Sequence, residues 1–343
     1  MPSYWDIFLN GYTGYAGYFW DQVTNPGWRS YFYWLIVVSA FFFALEIFMP
    51  WRKNQKKFRK DFWLDFFYMF FNFFLFWLII YNAASDVVVN FLNDGIKSIF
   101  QFDLQASNPM NSWPLWAILI TGFIVRDFIQ WWTHRLLHRV DFLWNFHKVH
   151  HSVEEMGFAA HLRYHWMETL VYRAIEYLPL ALLGIGLYDF FIIYLFTLVV
   201  GHYNHSNISV DSRWTGSLLG MAIGFVISMG YFDIDVIANP GLVSVAMGIL
   251  VGGIFGFLLL APVMKKFFNS PEMHIWHHAM NIPEERKYGL NFGITLAIWD
   301  YIFKTAYIPD SGRDIRLGFP GLEKFPQNFV SQVSYGIFPG RSS

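Results

Sequence analysis

A chain of 343 residues with a net charge of −1 and no cysteine offers no basic excess for nucleic acid. It also offers no disulfide, no thiolate-held haem or iron–sulfur cluster, and no cysteine-type zinc site. Hydrophobic residues make up 55% of the chain and charged residues only 14%, against roughly 25% charged in soluble domains. The apolar excess falls in long runs, at 31–50, 66–81 and 241–263, and runs of that length are transmembrane candidates.

Residues 1–30 read as an interfacial lead-in broken at Asn25-Pro26-Gly27, without the basic n-region of a signal peptide. A first span is predicted over 31–49. It is followed by Arg52, Lys53, Lys56, Lys57, Arg59 and Lys60, a basic loop that the positive-inside rule assigns to the cytoplasm as an anchor with no other function. A second span over 62–81 leads outward to a mildly acidic, partly amphipathic stretch, 83–113, where Asp86, Asp94 and Asp103 stand against Lys97. A third span over 114–131 returns and runs into His134, opening a polar cytoplasmic segment, 134–168. Two shorter apolar stretches, 170–187 and 189–203, meet near Gly184, Gly186 and Asp189 and read as a hairpin ending at His202. A second pair, 215–231 and 241–263, is separated by Asp233, Asp235, Asn239 and Pro240 and ends at Lys265-Lys266, again cytoplasmic by charge. The expected fold is all-α, a polytopic membrane helical bundle of about five to seven spans, with a cytoplasmic histidine-rich cap.

All 12 histidines lie between His134 and His278. Histidine is costly in hydrocarbon and is the commonest metal ligand among side chains. His134 and His138 are an i, i+4 pair; His147, His150, His151 and His274, His277, His278 are i, i+3, i+4 triplets, so on helices each set shares a face. The two adjacent rings of each triplet diverge by about 100°, which lets one triplet serve two neighbouring ions. Ser270-Pro271-Glu272 has the form of an N-cap, a first-turn proline and an acidic first turn. His205 sits in a polar patch, Asn204-His205-Ser206-Asn207. His202 and His165 divide between ligand and structural roles, and His161 reads as a surface or supporting residue. Imidazole-only sites suit zinc, copper, iron or nickel, and this many ligands point to two ions. No H-E-x-x-H occurs, so a zincin protease is not supported, and the Glu-x-x-His pairs of soluble carboxylate di-iron bundles are missing.

The segment Asp127-Phe-Ile-Gln-Trp-Trp-Thr-His134-Arg-Leu-Leu-His138, followed by Leu143-Trp-Asn-Phe-His147-Lys-Val-His150-His151-Ser, resembles the fatty acid hydroxylase/sterol desaturase superfamily. So do Asn204-His205-Ser206-Asn207 and Ser270-Pro-Glu-Met-His274-Ile-Trp-His277-His278, with Ile298-Trp299-Asp300 as a looser match. The resemblance covers roughly 115–305 and implies a membrane-embedded di-iron oxygenase. Such an enzyme uses O2 and two electrons to hydroxylate or desaturate a fatty acyl, sterol or carotenoid substrate. On that reading 1–113 is an N-terminal transmembrane region and 114–305 the catalytic region. The latter carries an inserted hydrophobic hairpin at 215–263 that reshapes the lipid entrance, and 306–343 is a tail. The implied metal ligands are His134, His138, His147, His150, His151, His205, His274, His277 and His278, with His202 or His165 completing the shell. Asp127, Glu168 and Asp300 are the carboxylates that would fix ring tautomers, or else plain structural charges. The implied cofactors are two Fe ions, with Zn as a substitute in purified protein. A separate electron donor is expected, since no fused haem-binding domain is visible. Lys304 stands where the family commonly has glycine. Ether-lipid monooxygenation with a reduced pterin, a His-rich metal transporter and a zinc-dependent membrane hydrolase are the alternatives.

Overall fold

The computed structural model describes residues 3–27, 30–72, 74–76, 82–101, 113–182, 187–232 and 241–337. Among them there is no strand; the regular structure is helical, with two isolated bridges, Phe268 to Leu296 and Ala279 to Leu317. Asp103, Gly184, Gly186, Asp233, Asp235, Asn239 and Pro240, named above as loop residues, lie outside the described residues.

Helix α1 (Tyr4–Thr24) starts at a capping box in which Ser3 and Asp6 satisfy each other's backbone N–H. The next helices are α2 (Tyr31–Phe48), α3 (Phe62–Phe70) and α4 (Asn82–Phe100). The lead-in is thus a full helix, and it is tied to α4 by hydrogen bonds from the Tyr4 and Tyr15 hydroxyls to Asp94 and Asp86. The basic loop between α2 and α3 does more than anchor. Arg59 is buried and paired with Asp65, Arg52 donates to the carbonyl of Arg313, and Gln55 donates to that of Met156. It is therefore docked against the segment that follows the first histidine triplet.

Next come α5 (Leu115–Arg139), α6 (Asp141–His151), α7 (Trp166–Leu182) and α8 (Leu187–His205). The apolar core beneath them joins Leu35, Phe42, Phe62, Met69, Phe158 and Leu198 from α2, α3, α8 and the turn after α6.

Helices α9 (Ser212–Phe232) and α10 (Gly241–Phe255) form a pair held along glycines. Gly216, Gly220 and Gly224 face Gly256, Gly252 and Gly248 in order, and a Cβ on any of them would overlap the opposing backbone. Four-residue glycine spacing on both partners lets two backbones approach as closely as in membrane helix pairs. The outward faces are apolar and exposed, with Leu218 and Met221 on α9 and Met247, Leu250, Val251 and Ile254 on α10. Pro262 cannot donate to the preceding turn, and the chain widens over Gly256–Leu260 before α11 (Ala261–Phe267). Among the described residues two stretches, Tyr31–Phe48 and Val243–Phe267, are long and apolar enough to cross a bilayer.

The chain ends through α12 (Pro271–His277), α13 (Ile298–Ile302) and α14 (Phe329–Val333). The turn after α13 explains the family's glycine. Thr305 N–H bonds the carbonyl of Asp300, Lys304 N–H bonds that of Tyr301, and Lys304 has φ +58°. This is a Schellman cap with a lysine at its left-handed position, where a Cβ costs about 1–2 kcal/mol. Lys304→Gly is expected to raise stability by about 1 kcal/mol, read as a higher thermal unfolding midpoint in detergent; a lowered midpoint would show that the lysine side chain stabilises the turn.

Candidate metal centre

Each histidine set is delivered by a helix end. His134 and His138 close α5, the first triplet closes α6, His205 ends α8, and the second triplet fills α12 and its C-cap. Ser270 caps α12 through Met273 N–H, with Pro271 in the first turn, as its sequence implies. Nine imidazoles converge in two adjacent groups. His134, His138, His147, His151 and His277 form one; His150, His205, His274 and His278 form the other. Within each, one ring nitrogen per residue lies within 4.8 Å of all the rest. The adjacent rings of each triplet do part company: His147 and His151 go one way and His150 the other, as do His277 against His274 and His278. The groups abut, with the rings of His151 and His278 stacked at 4.4 Å.

The protonation pattern says what belongs between these rings. A carbonyl can only accept, so Nδ1 of His134 donates to Phe292, that of His150 to Arg163, that of His205 to Gly201 and that of His277 to Leu290. A neutral imidazole has a single N–H, so all four Nε2 atoms carry bare lone pairs. Yet Nε2 of His150 and Nε2 of His205 face each other at 3.3 Å. A proton between them would need an imidazolium, which burial disfavours: it pushes His150 down to about 4 and His134 down to about 3. The other Nε2 contacts are 3.1 Å (His134–His147), 3.0 Å (His151–His277), 2.9 Å (His205–His274) and 3.2 Å (His274–His278). Nitrogens that share an ion about 2.1 Å away lie about 3.0–3.4 Å apart. Buried Nε2 of His138 has no hydrogen-bond partner. Both groups therefore fit a metal cation.

The three candidate carboxylates divide. Glu168 accepts from Nδ1 of His147 at 2.8 Å, the arrangement that orients a metal-bound ring. Burial pushes its carboxyl up to about 8; a cation held by His147 would draw it back toward the carboxylate. Asp127 and Asp300 touch none of the nine rings. Asp300 accepts from Phe292 N–H, Gly293 N–H and Trp131 Nε1; Asp127 accepts from Thr295 N–H, Leu296 N–H and Trp299 Nε1. They pin the loop at 290–296, whose carbonyls set His134 and His277. Glu168→Ala is expected to weaken metal binding about 10–100-fold, with Glu168→Gln retaining part of it. Metal titration of the stripped protein measures this, and an unchanged affinity in the alanine variant would mean that packing alone holds the His147 ring.

His202 and His165 lie outside both groups. His202 bonds Ser39 Oγ and His161 Nδ1, each at 3.0 Å; His165 packs at a tilt against Phe146, stacks on Trp166 and accepts from Met167 N–H. His161 lies beside His205, ring centres 5.2 Å apart, lodged against Gly201. Sequence reasoning missed Arg163, which is buried, carries the carbonyl for His150 and is fixed by Asp61, Asp65 and Ser152. It also missed the asparagines Asn269 and Asn291, which, like Asn204 of the polar patch, hold backbone carbonyls around the site. No local pattern announces these residues. A cavity of about 190 Å³ opens onto His134, His147, His150, His205 and His274.

Comparison with known proteins agrees with this chemistry. The fatty acid hydroxylase family model matches residues 119–228. Over 224 residues the chain is 27% identical to the ornithine lipid hydroxylase OlsE of Rhizobium tropici. That match takes in 65% of this chain and spans about half the relative's length (51%). No solved structure matches the chain. With its ordered histidine boxes, the chain is similar to the fatty acid hydroxylase/sterol desaturase superfamily.

Proposed function

We propose that this protein is a multi-pass membrane oxygenase that hydroxylates a lipid with O2 and two electrons at a pair of iron ions, its histidines on the cytoplasmic side. The observation that carries this reading is the facing of bare imidazole lone pairs in two abutting groups at the floor of a cavity. The name of the Rhizobium relative supports lipid hydroxylation. His134, His138, His147, His151 and His277 would hold one ion and His150, His205, His274 and His278 the other. When bound, iron supplies the redox chemistry that attack on an unactivated C–H bond requires and that zinc lacks. The chain's own part is to present neutral nitrogens, fix their tautomers through Glu168 and four carbonyls, and hold the substrate carbon against the two groups away from water. Electrons would come from a separate donor. A cleft bordered by Arg135, Arg139, Arg286 and Lys304 against Glu285 suits an acidic one, and its wall residue Phe292, 5.3 Å from the His138 ring and 5.8 Å from His134, puts it close to the site.

The test is metal analysis of anaerobically purified protein, followed by mass spectrometry of membrane lipids from cells that do and do not express it. Iron together with a product heavier by one oxygen supports the reading. Zinc alone with no lipid change would sink it, and loss of two hydrogens would instead assign desaturation. With purified protein, O2 uptake should wait on added reductant, and with an acidic donor it should slow as salt rises; uptake without reductant removes the separate donor.

A further inference from the structure

The cavity has a second end. Three helices carry ladders up from the histidines at four-residue steps or close to them: His134, Gln130 and Arg126 on α5; Glu168, Tyr172 and Glu176 on α7; His205, Gly201 and Thr197 on α8. At the top the lining turns charged. Arg126 and Glu176 are both buried, with side chains only 6% and 2% exposed. Nε of Arg126 stands 3.8 Å from the Glu176 carboxylate, too far for a hydrogen bond, and its Nε and Nη1 have no hydrogen-bond partner. Its guanidinium lies over the Tyr194 ring at 4.5 Å. Glu176 Oε1 and Gln130 Oε1 are likewise buried without hydrogen-bond partners. Arg173 joins the lining, 3.4 Å from Glu176. A buried guanidinium with orphaned donors costs heavily unless something completes it, and a charge at the depth of a membrane helix marks a functional site by default.

We infer that this end of the cavity binds the polar head of the lipid substrate, an oxyanion (carboxylate or phosphate) received by Arg126 with a hydrogen-bond donor beside it received by Glu176 or Gln130. This names the substrate class of the site proposed above and rests on that proposal for its chemistry. Eight residues of α5 separate Arg126 from His134, about 12 Å along the helix axis. A lipid anchored at Arg126 therefore presents to the histidines not the anchored oxyanion itself but an atom about 12 Å further along the molecule, in an extended head or the nearer part of its chain. A carbon far down an acyl chain lies beyond them.

The test reads binding without turnover. Detergent-solubilised, metal-loaded wild type is titrated with N-palmitoylglycine (carboxylate), a lysophosphatidate (phosphate) and hexadecanol (neither), and affinity is followed by thermal stabilisation. Either acidic amphiphile should bind about tenfold or more tightly than the alcohol, and which of them does so identifies the head chemistry. Arg126→Gln should erase the preference and Arg126→Lys keep part of it, with metal content unchanged. Where the single variant fails to accumulate, R126Q/E176Q leaves neither partner of the buried ion pair charged and gives the same reading. Equal affinity for all three amphiphiles, or a preference that survives Arg126→Gln, overturns the inference. Because no product is measured, that outcome is separate from failure of the oxygenase reading, which metal and product analysis decide.

Discussion

Alanine in place of His150 is expected to empty one of two ion sites while leaving the other filled. His150 donates through Nδ1 to the Arg163 carbonyl and points a bare Nε2 at His205; its ring also lies 4.6 Å from His278. Without it, three imidazoles of its group remain. The five-histidine group keeps every member, because His147 and His151 leave α6 on the other side. Metal per chain should therefore fall by about half, and product by about a thousandfold or more, the scale expected when an ion supplying several kcal/mol of transition-state stabilisation is lost. His147→Ala should empty the other site with the same loss of product. His202→Ala should leave metal content unchanged, since that ring is engaged with Ser39 and His161. Metal analysis of the three purified variants decides the matter. Full occupancy in His150→Ala, or a loss in His202→Ala, would show that the ions are shared out differently.

The second large effect is expected far from the rings. Gly220→Leu should destabilise the protein by about 3 kcal/mol or more, seen as earlier unfolding in a detergent titration. The Cβ alone would overlap the carbonyl of Gly252, and the facing glycines leave no side chain that can swing aside. The helices must separate, giving up close packing along the whole glycine seam. The consequence should reach the metal, because α10 continues through α11 into Asn269 and Ser270, which fix the start of α12. Loss of metal from the four-histidine group should accompany the stability loss. Gly95→Ala is the control. Gly95 is helical with open space around it, so alanine should be neutral or stabilise by about 0.5–1 kcal/mol. A Gly220→Leu protein that unfolds like wild type would mean the seam contributes no packing.

The sequence by itself determined everything that depends on neighbours along one helix. Spacings of three and four put histidines on shared faces, one-residue spacing parted His150 from His151 and His277 from His278, and Ser270-Pro271 started α12; all follow from 3.6 residues per turn and the missing partners of a first turn. The glycine seam has the same four-residue spacing on two successive apolar segments, but it was read only once the structure set Gly216, Gly220 and Gly224 against Gly256, Gly252 and Gly248. Only the tertiary structure decided which rings from α5, α6, α8 and α12 meet, that carbonyls at 290, 292, 163 and 201 fix four tautomers, and that Asp127 and Asp300 grip a loop while Glu168 grips a ring. It alone brought Arg126 beside Glu176, 50 residues later in the chain. The reason is physical: periodicity is written residue by residue, whereas a contact between distant helices is set by how their whole surfaces pack, and no short stretch of sequence carries that information.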